Sequence, residues 1–128
     1  MQDKLMPILV VDQTEALHRL FTEVMGFEEG VRTAGDPGEL VIYSYGSSNV
    51  GVATPGALPA MPPPTSSSLL VFEIADAQGI QRVMASRDAD SVGALSEGYF
   101  GRFFDVSDGS GHVFRFLEKS QEVSYAAE

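Results

Sequence analysis

The sequence predicts an α+β fold made of two βαβββ modules in tandem, and three observations support it. Two halves of similar length flank a stretch rich in proline and serine near the middle of the 128-residue chain. Each half begins with an apolar strand-like run, continues with a helix-like run and ends with further strand-like runs. One constant shift along the chain superposes Leu17 on Ile80 and Phe21 on Met84. These observations predict helices packed on one face of mostly antiparallel sheets.

The elements of the first half follow one another in the predicted order. Met6–Asp12 is a short apolar strand. The next segment has apolar residues spaced along one helix face, and a glycine ends it: Leu17, Leu20, Phe21, Val24 and Gly26. Asp12 or Thr14 can cap this helix. Three strands separated by turn sequences complete the half, at Glu28–Ala34, Glu39–Tyr45 and Asn49–Thr54, the first turn being Asp36–Gly38.

The second half repeats this order after a connector. Pro55–Ser68 contains too many prolines for a helix or a central strand, so we expect an extended link. Leu69–Ile74 is the first predicted strand of the second half. A weaker helix follows, with apolar residues at Ile80, Val83 and Met84. Three more strands are predicted at Ser91–Leu95, Gly101–Val106 and His112–Glu118.

Composition narrows the range of functions. The chain has 8 basic and 18 acidic residues, and its net charge of -10 argues against binding nucleic acid or anionic membranes. The charge favours cationic or neutral ligands, although it also serves simply to keep a protein soluble. The absence of cysteine excludes disulfides and thiolate metal sites. No apolar run is long enough to span a bilayer, and Met1–Lys4 does not begin a signal peptide, so we expect a cytoplasmic protein.

Three segments resemble a known family: Ile8–Phe27, Val71–Asp76 and Gly101–Glu118. The first is similar to the strand, aspartate and helix of the vicinal-oxygen-chelate superfamily, which includes glyoxalase I, extradiol dioxygenases and bleomycin-resistance proteins. The last is similar to the family's hairpin, with Asp108–His112 as its turn. The resemblance implies one domain over residues 1–128, with module 1 at about 1–56, a connector at 57–67, module 2 at about 68–118 and a tail at 119–128. It also implies curved sheets that form a cup, with the helices outside.

The resemblance implies four metal-ligand positions, and none of them carries a suitable side chain here. The family's metal enzymes place a His or Gln on the first strand of each module and a Glu on the last strand. Those positions fall on Met6 or Leu5, Gly51, Leu69 or Leu70, and Arg115. A divalent metal needs imidazole or carboxylate donors, and a guanidinium repels it. We therefore expect no metal and no cofactor.

Four residues are the candidates for a ligand site. Glu73 alternates with apolar Phe72 and Ile74, so its carboxylate either faces the cup or lies exposed at an edge. Arg115 alternates with core phenylalanines in the same way. It is either a clamp for an anionic group or half of an ion pair with Glu73 or Asp105. Tyr43 and Phe103 are expected to supply aromatic walls. His18 and His112 are interpreted as a partnered helix residue and a turn residue.

These residues lead to one functional hypothesis and one alternative. The first is a metal-free protein that binds a small organic molecule, planar and cationic or zwitterionic, in the manner of bleomycin-resistance proteins. The alternative is a lyase, isomerase or dioxygenase with a non-standard site that uses Glu73, Arg115 or a relocated metal. The open apolar face of each module also predicts a homodimer, as is usual in the family.

Overall fold

The structure is a computed structural model that describes residues 3–33 and 38–120. The chain divides into two compact units, with the boundary between Ser68 and Leu69. The elements of the first unit are β1 (Ile8–Val10), α1 (Glu15–Arg19) continued by a π-helical turn (Leu20–Val24), β2 (Glu28–Thr33), β3 (Leu40–Tyr45) and β4 (Ser48–Ala53). Those that follow are β5 (Ser68–Glu73), α2 (Ala77–Arg87), β6 (Ser96–Gly98), β7 (Gly101–Ser107) and β8 (His112–Lys119). The predicted tandem βαβββ order is confirmed.

The two four-stranded sheets have the same strand order. It is β1-β4-β3-β2 in one sheet and β5-β8-β7-β6 in the other, so the first strand of each module lies beside its last. In the first sheet β1 runs parallel to β4, with Ile8 opposite Gly51. The hairpins β3–β4 and β7–β8 are antiparallel, and the second brings Asp105 opposite Arg115. This register decides which charged side chains can meet.

The core of the first unit lies between the helix and the sheet. The four apolar helix residues predicted to share a face are all buried: Leu17, Leu20, Phe21 and Val24. Phe21 stacks on Phe27 and meets the edge of Tyr43, with ring centroids 5.2 and 4.8 Å apart. Gly26 ends the helical segment with a φ of 76°, a conformation that glycine adopts without strain.

The core of the second unit is a row of phenylalanine rings. Phe116 stacks between Phe72 and Phe104, at 5.2 Å from each. Met84 of α2 is buried with them, as predicted. Val83 is 48% exposed, although the same constant shift matches it to buried Leu20. The internal match in the sequence therefore holds for Phe21 and Met84, which are both buried, and fails for Leu20 and Val83.

The predicted strand at Ser91–Leu95 is wrong. This segment makes only an isolated bridge between Val92 and Val106, and strand β6 begins later, at Ser96. Ser96 pairs with Phe103. The segment from Val92 to Ser96 is therefore one residue longer than the segment from Phe103 to Val106 that lies opposite it. An extra residue on one side interrupts the ladder, as in a β-bulge.

Residues 55–67 contain no helix or strand, and Ser68, the last residue of the predicted link, begins β5. The Thr65 amide donates to the Val10 carbonyl oxygen at 2.9 Å. Residues 34–37, including the end of the predicted strand Glu28–Ala34 and part of the turn Asp36–Gly38, lie outside the described residues. So do 121–128 of the predicted tail. None of the helices at 3–33 and 38–120 is long and apolar enough to cross a membrane.

Candidate functional site

A pocket of about 560 Å³ lies in the second unit, on the sheet face opposite the phenylalanine core. Side chains alternate between the two faces of a strand. Phe72, Phe104 and Phe116 enter the core, so their neighbours along β5, β7 and β8 line the pocket. These neighbours include Leu69, Val71, Glu73, Phe103, Arg115 and Leu117. Three of the four predicted site residues, Glu73, Phe103 and Arg115, are therefore brought together.

Glu73 ends β5 and contributes a carboxylate to the pocket wall. Its side chain is exposed, as expected from its alternation with buried Phe72. Among the residues at 3–33 and 38–120, none makes a hydrogen bond or ion pair with it. Its negative charge is thus available to a ligand.

Arg115 is held by a carboxylate on the neighbouring strand. Its Nε donates to Oδ1 of Asp105 at 2.7 Å, and its Nη2 donates to Oδ2 at 3.0 Å. The guanidinium also lies 4.3 Å from the centroid of the Phe103 ring. The hydrogen bonds to Asp105 raise the pKa of Arg115 above its usual value. Of the two alternatives from the sequence, the structural ion pair is the one formed, and its partner is Asp105 rather than Glu73.

Two further aromatic residues, Tyr99 and Phe100, belong to the pocket. They form the turn between β6 and β7, where they are 84% and 46% exposed, and their rings meet edge to face at 5.1 Å. Ser120 anchors the turn by donating its amide hydrogen to the Phe100 carbonyl oxygen at 2.7 Å. This pair is not among the four site residues predicted from the sequence. The signal was present, because two large aromatics between Gly98 and Gly101 are unusual in a turn.

The predicted place of Tyr43 in the same cup is corrected by the structure. Tyr43 is only 1% exposed and lies in the core of the first unit. Its Oη is 2.7 Å from Nδ1 of His18, which confirms that this histidine has a partner. Burial raises the pKa of Tyr43 to about 12. Strand alternation explains the error, because Tyr43 shares the face of buried Val41, and that face packs on the helix.

A polar network surrounds this histidine and joins the helix to β2 and β3. Arg32 pairs with Glu29 at 2.9 Å and also with Glu39. The hydrogen bond from Arg32 holds the pKa of Glu29 below its usual value. Thr14 occupies the predicted cap position, but its hydroxyl donates to Glu39 instead of capping the helix. The charges of Glu29, Arg32 and Glu39 are therefore satisfied among themselves.

The residues at the four metal-ligand positions implied by the sequence resemblance do not fit a divalent metal. Met6 and Leu69 have no hard donor atom, and the guanidinium of Arg115 is bound to Asp105. A Cβ added to Gly51 would lie 3.0 Å from Cγ1 of Ile8, so the side chain opposite already fills the space that a longer residue needs. Within the described ranges, no cluster of three His, Asp or Glu side chains could hold a metal.

Solved structures share this fold, although no protein-family model and no curated protein matches the sequence. The bleomycin-binding protein of Streptomyces verticillus, complexed with copper(II)-bleomycin, has 18% identity and a TM-score of 0.67, over 94% of this chain and 100% of that one. An antibiotic-binding protein from Streptomyces sp. CB03234 has 18% identity and a TM-score of 0.66, over 94% and 99%. A fosfomycin resistance protein from Listeria monocytogenes has 11% identity and a TM-score of 0.67, over 95% and 97%. TM-scores of this size show a shared fold, and at identities this low the likeness extends to the fold alone, because one fold hosts many functions.

Proposed function

Since this chain has the fold of the vicinal-oxygen-chelate proteins, we propose that it binds a small organic molecule non-covalently and without a metal, in the pocket of its second unit. The observation that carries the proposal is an apolar and aromatic pocket whose wall includes the carboxylate of Glu73, which is unpaired among the described residues. Two of the similar structures are named for binding bleomycin or an antibiotic, which supports a role in sequestering such compounds.

The pocket has the size and surface that small ligands require. Its volume of about 560 Å³ falls within the range of roughly 300–1,000 Å³ typical of ligand sites. Leu69, Val71, Tyr99 and Phe100 all leave large apolar surfaces exposed. A ligand that covers them gains hydrophobic free energy, and the aromatic rings favour a flat molecule.

The charges favour a cation over an anion. Glu73 is unpaired among the described residues, whereas Arg115 already satisfies Asp105. A ligand with an acidic group would find no free guanidinium in this pocket, so a planar cation fits better than a zwitterion. The net charge of -10 attracts the same class of molecule over longer distances.

Two flat probes of equal ring size test this proposal. We expect 9-aminoacridine, a cation at pH 7, to bind more tightly than anthracene-9-carboxylate, and added salt to weaken its binding. Glu73→Gln should weaken 9-aminoacridine about fivefold, and Phe103→Ala about tenfold. The matched control is Glu28→Gln, which removes an exposed carboxylate from β2 in the first unit. Fluorescence titration gives each dissociation constant. Unchanged binding in both pocket variants would place the site elsewhere.

We also propose that the protein is a homodimer. Leu5 and Val31 are more than half exposed outside the pocket, and apolar side chains of this size favour burial against a partner. Sedimentation equilibrium at micromolar concentration should give twice the chain mass of 13.7 kDa. A mass equal to that of one chain would contradict this assembly.

A further inference from the structure

The ring of Phe103 in the pocket wall is held by residues from both strands beside β7, which lies between β8 and β6. From β8, the guanidinium of Arg115 lies over the ring, 4.3 Å from its centroid. Two hydrogen bonds to Asp105 fix this guanidinium in turn. From β6, the backbone of Gly98 lies beside the ring. Contacts on two sides thus restrict where the ring can lie.

Gly98 is the point at which β6 approaches this ring. Gly98 pairs with Gly101, which is two residues from Phe103 along β7, so a side chain at Gly98 would point to the same sheet face as Phe103. A Cβ built at Gly98 would lie 3.2 Å from Cε1 and 3.8 Å from Cδ1 of Phe103. Carbon atoms in contact prefer a separation of about 3.5–4.0 Å. The ring therefore occupies space that any side chain at Gly98 would need.

The contact with the ring, and not the backbone, excludes a side chain here. Gly101 has a positive φ, whereas Gly98 does not, so alanine could adopt the Gly98 backbone conformation without strain. Apart from the chain neighbours of Gly98, Phe103 alone among residues 3–33 and 38–120 has atoms within 4 Å of that Cβ.

A ring pushed away from β6 would move towards the rest of the pocket. β6 is an edge strand, and on the other side of β7 lie β8 and β5. Leu117 of β8 is paired with Phe103, and both it and Val71 of β5 line the pocket. Displacement of the Phe103 ring towards these residues would leave less room for a ligand.

We propose that Gly98 is a specificity-determining residue: it lets the Phe103 ring lie against β6 and so keeps the pocket wide enough for cations of three fused rings. This inference rests on the proposed function, because it assumes that the pocket binds flat cations. It adds the size class of the ligand. A side chain at Gly98 would restrict the same pocket to smaller ring systems.

Two cations that differ by one fused ring test the inference. 4-Aminoquinoline has the charged aminopyridine ring of 9-aminoacridine and one benzene ring fewer, and both are cations at pH 7. The wild-type protein should bind 9-aminoacridine about tenfold more tightly, because the third ring buries more apolar surface. Gly98→Ala should weaken 9-aminoacridine about tenfold, as overpacking does, and change 4-aminoquinoline by less than about twofold. Fluorescence titration measures both dissociation constants.

The double variant Gly98→Ala/Phe103→Ala shows whether the effect passes through the ring. Without the ring, the added methyl group has nothing to displace, so the double variant should discriminate between the two probes as Phe103→Ala does. The matched control is Gly30→Ala. Gly30 also lies in an edge strand, β2, without a positive φ, and its added Cβ would lie at an ordinary 3.4 Å from the Ile42 carbonyl oxygen. This control should alter neither dissociation constant.

The outcomes separate this inference from the proposed function. If the wild-type protein binds both probes equally, or if Gly98→Ala weakens or loses both to the same extent, Gly98 does not select by size. The inference is then overturned, and the proposed function stands. A loss of discrimination on adding Gly98→Ala to Phe103→Ala also overturns it. If the wild-type protein binds neither probe, the proposed function fails and this inference fails with it.

Discussion

The two units have the same strand order and yet place their charged side chains differently. In the first, Glu29, Arg32 and Glu39 join His18 in a network that ties the helix to the strands. In the second, Asp105 and Arg115 pair across two strands at the pocket, and Glu73 stays unpaired among the described residues. The backbone plan is thus repeated while the pairing of the charged side chains is not.

Aromatic residues show the same difference. Tyr43 of the first unit is buried, and its hydroxyl is bound to His18. Tyr99 and Phe103 of the second unit are on the pocket side, where they are available to a ligand. Side chains alternate between the two faces of a strand. An aromatic residue in a strand can therefore line a pocket only when it lies on the face opposite the core.

The largest expected effect comes from breaking the turn that shapes the pocket. Gly101 has a φ of 143°, and a Cβ there would lie 2.1 Å from the Glu118 carbonyl oxygen. Gly101→Ala should lower the free energy of unfolding by about 3 kcal/mol, because backbone strain and a backbone clash combine. Urea unfolding measures the change.

Gly109→Ala is the matched control for that prediction. Gly109 also has a positive φ, of 85°, but its added Cβ would meet nothing within 4 Å. This variant should lose only about 1 kcal/mol, the cost of the left-handed conformation. Equal losses in the two variants would show that the contact with β8 does not fix the turn.

A smaller effect is expected from the buried hydroxyl of the first unit. Tyr43→Phe removes the hydrogen bond to His18 and should cost about 1 kcal/mol of unfolding free energy. It should leave the binding of 9-aminoacridine unchanged, because Tyr43 does not line the pocket. A marked loss of ligand affinity in this variant would contradict the assignment of the site to the second unit.

The same tyrosine predicts a pH dependence. Burial raises its pKa from 10.0 to about 12 in the folded protein, so folding favours the neutral phenol. This contribution to stability is complete below pH 10 and is lost as the pH rises towards 12. The wild-type protein should therefore lose more unfolding free energy over that interval than Tyr43→Phe does. Identical pH profiles above pH 10 would overturn this account of its environment.

The smallest effect concerns the ion pair at the pocket. A double-mutant cycle with Asp105→Asn and Arg115→Met should give a coupling of about 0.5–1 kcal/mol, because both side chains are about one-third exposed and solvent screens them. The coupling should shrink in high salt. A value of zero would mean that Arg115 remains available to an anionic ligand group.

Periodicity predicted the fold because the apolar pattern of each element is set by its own core face. Leu17 and Phe21 are four residues apart, which places both side chains on one face of a helix. That face packs on the sheet, so both residues are buried. The late start of β6 could not be predicted from periodicity. It results from one extra residue between Val92 and Ser96 in the pairing with β7. Local sequence carries no direct signal for such a register shift.

The site was predicted only where alternation along one strand decided it. Glu73 and Arg115 lie beside buried phenylalanines, so their shared face followed from the sequence. Tyr43 was misplaced because Val41 and Ile42 are both apolar, so the alternation along β3 did not reveal which face packs on the helix. The choice of Asp105 as the partner of Arg115 required the pairing of β7 with β8, which the sequence left open.

The most direct test of the central claim is to map a bound ligand onto the two units. Backbone amide chemical shifts, measured with and without 9-aminoacridine, report where it lies. The account predicts the largest changes at Glu73, at Gly98–Phe103 and at Arg115, with little change along β3 of the first unit. Largest changes along Leu40–Tyr45 would contradict it, because the repeated fold would then have its ligand site in the other module.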